Sequence, residues 1–261
     1  MRFKAAFFDI DNTLFDYQTM RFVPSAIQTV KGFQKAGGKV FIASARCYDL
    51  IRSFGTFHLG IHWDGYIAFC GGLAVADHRI VKNETMPPSE MQKLIQVCKE
   101  NGLGLEVLTP SARYLATPMN DFVRGYHDIY IDPLPPVRKY RGERANGALL
   151  YAPSKYDEVV GKACPSLIIH RFQQFGADVS TSEERSKGLG CQAILDYYGI
   201  SKEEAIAFGD SEPDLSMGEA CGTLVIMKNG NPLCHDKASF VADTAANDGI
   251  RKTFEHFGGI L

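Results

Sequence analysis

Ala5-Ala6-Phe7-Phe8-Asp9-Ile10-Asp11-Asn12-Thr13-Leu14 is the stretch on which the fold turns. Its four apolar residues, with Phe3 ahead of them, have the length and aromatic content of a strand buried on both faces, as strands of parallel sheets are. The run ends in two carboxylates one residue apart. In open parallel α/β sheets, ligands sit just beyond the carboxyl ends of the strands, so Asp9 and Asp11 fall where chemistry is expected. Asp-x-Asp-Asn also makes an ordinary polar turn with Asx hydrogen bonds, and this segment alone leaves the two readings level. Two carboxylates so close need a cation or a proton to coexist.

Outward from this stretch, Pro24 and Ser25 open a helical pattern in which Ile27, Val30 and Phe33 share one face, and Gly37-Gly38 stop it. A second buried strand over 39–43 ends in Ser44-Ala45-Arg46, and a helical segment follows through Leu50-Ile51. A third strand over 66–69 runs into Cys70-Gly71-Gly72. This alternation predicts an α/β fold with a Rossmann-like, doubly wound parallel sheet.

The rhythm then changes. Residues 73–75 and 79–82 read as a hairpin, Met86-Pro87-Pro88 as a connector, and Ser89-Glu90-Met91-Gln92 as a capping box before a helix with Met91, Leu94, Ile95 and Cys98 on its apolar face. Short strands over 103–108, 113–117, 147–152, 166–171 and 177–180 surround further helices, the best of them over 154–163, and Asp132-Pro133-Leu134-Pro135-Pro136 reads as a surface loop. Residues 83–183 are thus expected to be an inserted α+β cap domain, and 1–82 with 184–261 the core. Past Lys187 the α/β rhythm resumes with a helix to Tyr198, a strand over 205–208, an acidic cluster and a strand over 223–227.

The 261 residues, 45% hydrophobic and 22% charged, suit an ordinary globular protein. A formal charge of -2 offers no footprint for nucleic acid or an anionic membrane, so neither is an expected partner. No apolar run approaches the roughly 20 residues of a membrane span. Asp9 interrupts the N-terminal apolar run too early for a secretory signal, which points to a cytoplasmic protein. A monomer is expected. The seven cysteines are odd in number and scattered without a C-x-x-C pair, against both a disulfide framework and a thiolate zinc site.

Four predicted strand ends or helix starts carry polar groups: Asp9 with Asp11, Ser44, Lys187, and Asp210 with Asp214. Singly, Ser44 reads as a helix cap, Lys187 as a solvated lysine, and Asp210 and Asp214 as acids favouring a helix N-terminus. Gathered at one end of one parallel sheet they make a site of acids, a hydroxyl and a cation. A carboxylate attacking a phosphate meets like charge, and each such pair at about 4 Å costs roughly 4 kcal/mol at an effective dielectric near 20. A hard divalent cation removes that penalty, and Mg²⁺ suits one or two carboxylates with phosphate and water. Lys187 can neutralise the remaining phosphate charge, while Ser44 and backbone N-H groups position its oxygens.

In this order the motifs resemble those of the haloacid dehalogenase (HAD) superfamily of phosphotransferases: Asp9-Ile10-Asp11-Asn12-Thr13-Leu14, Phe41-Ile42-Ala43-Ser44, Ser186-Lys187-Gly188, and Phe208-Gly209-Asp210 through Asp214. The inserted domain, Ser44-Ala45-Arg46, and the tail Met227-Lys228-Asn229, Ala242-Asp243 and Asn247-Asp248-Gly249-Ile250 resemble the Cof-type sugar-phosphate phosphatases. The resemblance implies Asp9 as the nucleophile forming an aspartyl-phosphate, and Asp11 as general acid for the leaving alcohol and base for water. It implies Mg²⁺ on Asp9, the backbone carbonyl of Asp11 and Asp210, with Asp214 completing or orienting the set, and phosphate on Ser44 and Lys187. Three departures from the usual pattern stand out: Asn12 for Gly, Pro213 for Asn, and Cys70-Gly71-Gly72 for Asn-Gly-Ala.

The expected function is a Mg²⁺-dependent phosphatase acting on a small phosphorylated metabolite, a sugar phosphate in the first instance. A phosphomutase would use the same intermediate, and a receiver-like phosphoacceptor would use a similar residue set on a much shorter chain. Arg46 is a candidate substrate contact. In the cap, Arg113, Asn120, Arg124, His127 and His170 are expected in solvated or capping roles.

Overall fold

The computed structural model describes residues 2–130, 133–181 and 185–258. Two compact units divide the chain: Met1–Arg46, Ile51–Asn83 and Arg185–Leu261 make one, Cys47–Leu50 and Glu84–Glu184 the other. No pattern in the sequence signals that Cys47–Leu50 goes with the second unit.

In the first unit, Ala5–Phe8 lies inside an eight-stranded sheet of order Phe240–Ala242, Thr223–Met227, Ala205–Gly209, Ala5–Phe8, Lys39–Ala43, Gly65–Ala68, Leu73–Ala76, Arg79–Asn83. The first six run parallel, and the last two form the antiparallel hairpin the sequence predicts. Strand alternation sends Ala6 and Phe8 into one core with Val30 and Phe33 of helix Pro24–Lys35 and Phe254 of helix Gly249–His256. It sends Ala5 and Phe7 into the opposite core, against Cys191, Ile194 and Leu195 of helix Lys187–Tyr198. Ile27, expected on the buried face of Pro24–Lys35, is only half-buried because Ala26 and Thr29 turn inward with Val30 and Phe33.

Phe8 stacks on Phe208 with ring centroids 5.1 Å apart, and Phe7 on Phe41 at 4.9 Å. Each such fully buried ring stabilises the strand by about 2 to 3 kcal/mol, so the backbone that delivers Asp9 is firmly held. Chain direction away from Ala5–Phe8 reverses here, with Lys39–Ala43 on one side and Ala205–Gly209 on the other. Such a switch point opens a crevice at the carboxyl ends of the strands.

The second unit is a five-stranded antiparallel sheet of order Ile168–Gln173, Gly176–Ser180, Gly147–Tyr151, Gly104–Leu108, Arg113–Leu115. Leu105, Val107, Ala148, Leu150 and Val179 pack with Met91, Leu94, Ile95 and Cys98 of helix Pro88–Glu100, whose apolar face is as expected. The capping box at Ser89 does not form: Pro87 is the N-cap and Pro88 opens the helix, its fixed φ supplying the start. The predicted helix over 154–163 begins instead as a 3-10 turn, Ser154–Tyr156, before Asp157–Ala163. Helix Asp121–Tyr130 is one of the further helices expected in this stretch, at a position the sequence reading did not assign. Residues 133–136 form no regular element, and Asp132 of the predicted loop lies outside the described residues.

Three cap residues go as expected: Asn120 Oδ1 accepts from Val123 N at 3.0 Å at the start of Asp121–Tyr130, and Arg124 and His170 are exposed. Arg113 and His127 are not solvated. Both are 5% exposed, because Glu106 buries a carboxylate beside them: Arg113 Nη1 donates to Glu106 Oε1 at 3.0 Å. Tyr151 donates its hydroxyl to Glu106 Oε2 and lies 3.1 Å from His127 Nε2. All seven cysteines are free thiols, buried except for the half-buried Cys70. Among the described residues no helix is long and apolar enough to cross a membrane.

Candidate active site

Asp9 leaves the first strand and the chain folds back at once. The N-H groups of Thr13, Leu14 and Phe15 all point at the Ile10 carbonyl, at 3.3, 3.0 and 2.8 Å. The reversal puts Asn12 at φ +54°, a left-handed conformation that asparagine tolerates better than most residues, so the departure from Gly is accommodated. Its side chain is also used: Asn12 Nδ2 donates to Asp210 Oδ2 at 3.1 Å, and Asn229 Nδ2 holds the Asn12 carbonyl at 2.8 Å.

Lys187 is the first residue of helix Lys187–Tyr198, whose N-cap is Ser186. Its ammonium, 2% exposed, donates to Asp9 Oδ1 at 2.7 Å and Asp214 Oδ1 at 2.6 Å. Gly71 makes this approach possible: at φ +95°, a Cβ there would stand 1.8 Å from the Ser186 carbonyl oxygen. The second unusual motif, Cys70-Gly71-Gly72, thus keeps the glycine its position requires. Burial opposes the charge of Lys187, but Asp214 and Asp9 outweigh it and raise its pKa.

The strand Ala205–Gly209 delivers Asp210, and Ser211 opens the short helix Glu212–Leu215. Asp214 Oδ2 accepts from Asp210 N, Ser211 N and Ser211 Oγ, each at 3.0 Å. With Lys187 on Oδ1, both its oxygens are engaged, which suits orientation of neighbouring groups. Pro213, the third departure, sits in the first helical turn, where a missing N-H costs no intrahelical bond.

One carboxylate oxygen from each of Asp9, Asp210 and Asp214 lies within 4.8 Å of the others. Burial raises the Asp9 pKa well above its ordinary value, Asp214, Asp11 and Asp210 add to the rise, and Lys187 opposes it. Burial, then Asp214, push Asp210 up to about 6, against the Asn12 hydrogen bond. Three carboxylates face one ammonium, so the fully ionised cluster carries two surplus negative charges. That donor set and charge fit a hard divalent cation such as Mg²⁺, which takes carboxylate oxygens and balances the surplus.

Asp11 stands apart from this cluster. Arg46 grips its carboxylate through Nε on Oδ2 at 3.0 Å and Nη2 on Oδ1 at 2.8 Å, and Tyr17 donates its hydroxyl to Oδ1 at 2.6 Å. Burial alone would raise the Asp11 pKa, but the Arg46 hydrogen bond and charge with the Tyr17 bond lower it overall. Ser44 is 1% exposed, and its Oγ accepts from Arg46 N at 3.1 Å. The structure therefore brings Asp9, Lys187, Asp210 and Asp214 into one cluster, and Asp11 and Arg46 into an ion pair. Sequence reading missed Tyr17 and the contacts of Asn12 and Asn229. The one signal for Asn229 was its place in the tail pattern, and none marked Tyr17.

The family model of haloacid dehalogenase-like hydrolases matches residues 6–254. The chain belongs to this superfamily of hydrolases, in its Cof-type branch, and is a phosphoric monoester hydrolase by class. It is 27% identical over 258 residues to YkrA of Bacillus subtilis (strain 168), a protein provisionally named a phosphatase, with 98% of each chain covered. It is 22% identical to the pyridoxal phosphate phosphatase YbhA of Escherichia coli (strain K12), over 93% of this chain and 94% of the other. Among solved structures, the HAD subclass IIB sugar phosphatase BT4131 aligns with a TM-score of 0.79 at 25% identity, covering 99% of this chain and 100% of that one.

Proposed function

We propose that the chain is a Mg²⁺-dependent phosphatase that hydrolyses small phosphomonoesters, sugar phosphates first among them, through an aspartyl-phosphate on Asp9. The observation that carries this reading is the buried cluster of three carboxylates around Asp9 with one ammonium, which has two negative charges in surplus when all three are ionised. A structural network would balance its charges, whereas a site built for a cation and a phosphate dianion leaves the balance to its ligands.

Asp9, Asp210, the backbone carbonyl of Asp11 and, through orientation, Asp214 would hold the metal. Bound there, Mg²⁺ would offset the repulsion between carboxylate and phosphate. Lys187 binds a phosphate oxygen while keeping Asp9 aimed, and Ser44 with the N-H groups of the turn after Asp9 receives the others. Asp9 attacks phosphorus. Asp11 gives a proton to the leaving oxygen, then takes one from the water that attacks the acyl phosphate. Arg46 meets the incoming phosphomonoester and leaves Asp11 as it does so. The second unit selects the leaving group, and the working form is a cytoplasmic monomer.

The sugar phosphatase and pyridoxal phosphate phosphatase among the relatives define the substrates to try first. A panel of sugar phosphates, nucleotides and pyridoxal phosphate, assayed by phosphate release with Mg²⁺ and with chelator, tests the reading. Metal-dependent release, abolished by Asp9→Asn, is the expected result. Metal-independent release, or full activity in Asp9→Asn, would refute it. Product analysis with a bisphosphate activator separates the mutase, which would return the phosphoryl group to sugar.

A further inference from the structure

The Asp11 carboxylate is held by more groups than its charge requires. Arg46 alone balances it and reaches both oxygens. Tyr17 adds a neutral donor at 2.6 Å to Oδ1 and accepts from Arg46 Nη2 at 3.0 Å. A tyrosine hydroxyl that only needed satisfying could use backbone or water; this one is directed at a functional carboxylate.

Its placement is built into the fold. Tyr17 follows the strand Phe15–Asp16, which pairs antiparallel with Arg21–Phe22. The turn between them is fixed by the buried Asp16, whose Oδ1 accepts from Gln18 N at 3.1 Å and Oδ2 from Thr19 Oγ1 at 2.7 Å. The Phe15 ring meets Tyr17, Phe22 and Phe54 at centroid distances of 5.2, 5.2 and 4.7 Å, and the Arg46 guanidinium lies 4.4 Å over Phe54. One aromatic cluster thus sets both donors of Asp11, but they differ in kind. A phosphate dianion attracts the guanidinium and can draw it off Oδ2; the neutral, anchored phenol has no such reason to leave Oδ1.

We propose that Tyr17 is a positioning residue: it holds Oδ1 of Asp11 while Oδ2 handles the proton. As an Asp9 carboxylate oxygen bonds to phosphorus, the ester P-O bond breaks with its electron pair going to the ester oxygen, and Oδ2-H passes its proton to that oxygen, which leaves as the alcohol. In the second half, Oδ2 takes a proton from the water whose oxygen bonds to phosphorus as the Asp9 O-P bond breaks, its electron pair returning to the Asp9 carboxylate and inorganic phosphate leaving. The inference rests on the acid-base role proposed above for Asp11.

Tyr17→Phe keeps the ring and deletes the hydroxyl. The probes are p-nitrophenyl phosphate, whose leaving group is weakly basic, and phenyl phosphate, similar in shape with a strongly basic one. A displaced acid costs more where the leaving oxygen needs its proton more, so kcat/KM is expected to fall about 3-fold on the first and about 30-fold on the second, with Tm unchanged. Equal losses for Tyr17→Phe, or none, would overturn the assignment. Asp11→Asn separates the two readings. If it shows the leaving-group bias and Tyr17→Phe does not, Tyr17 fails and the proposed function stands. If Asp11→Asn is itself unbiased while Asp9→Asn is inactive, the acid role and the Tyr17 assignment fall together.

Discussion

Two buried charge networks, one in each unit, show opposite designs. In the second unit, Glu106 is matched by Arg113, supported by the Tyr151 hydroxyl, and 1% exposed. In the first, Asp9, Asp210 and Asp214 cluster with the ammonium of Lys187 bonded to two of them, and with all three carboxylates ionised two negative charges are in surplus. Burying charge is costly unless it is paired. In the second unit the one fully buried carboxylate is paired directly, and the further partner of Arg113, Asp49 at 3.7 Å, is partly exposed to water, so that network meets the demand internally and behaves as structure. The unbalanced one meets it only with something bound, which is why the same residue types read as a site in one unit and as a core in the other.

Neutralising one carboxylate in each network should therefore have different consequences. Asp9→Asn is expected to lower phosphate release on the order of 10⁴-fold while leaving Tm within a few degrees, in steady-state assays paired with thermal melts. Substantial residual turnover would place the nucleophile elsewhere. Glu106→Gln removes the nearer and more deeply buried of the two counter-charges of Arg113, leaving Asp49 at 3.7 Å, and is expected to cost about 3 kcal/mol in urea unfolding. Asp210→Asn in metal-free protein is expected to gain about 1 kcal/mol, because it removes a carboxylate that burial and Asp214 disfavour. Destabilisation of similar size in both variants would erase the contrast.

The smallest expected effect is a pH dependence. Burial, then Asp214, push the Asp210 carboxyl from its ordinary 3.8 up to about 6 in the folded chain. Its folded pKa is raised, so its contribution to stability is complete below the unfolded value and is lost as pH rises through about 6; Asp9 is shifted the same way. Metal-free protein should thus lose Tm between about pH 4 and 7 from Asp210. Added Mg²⁺ should restore a few degrees at pH 7.5 and almost none at pH 5, where protons compete for the same oxygens. A Mg²⁺ shift independent of pH would mean that the ion binds away from these acids.

Much of the first unit was legible because its strands are short apolar runs ending in punctuation that chemistry explains. Asp9, Lys187, Asp210 and Asp214 each stand at a strand end or helix start, where position alone implies convergence. Arg113 and His127 misled because a charged side chain in a short strand or helix reads as solvated until its buried partner is known, and Glu106 lies on a neighbouring strand. Tyr17 was hidden for another reason. Its role depends on a two-stranded hairpin and on Arg46, 29 residues away, and neither leaves a local pattern. Asn12, noted only as a departure, turned out to supply both the left-handed turn and a hydrogen bond to Asp210.

The most direct test of the central claim is acid-quenched mass spectrometry of the protein mixed with p-nitrophenyl phosphate and Mg²⁺. The account predicts a transient phosphoryl group on the peptide containing Asp9, absent with chelator and in Asp9→Asn. Phosphate release with no phosphorylated peptide under any quench time, or with the group on a different residue, would contradict it.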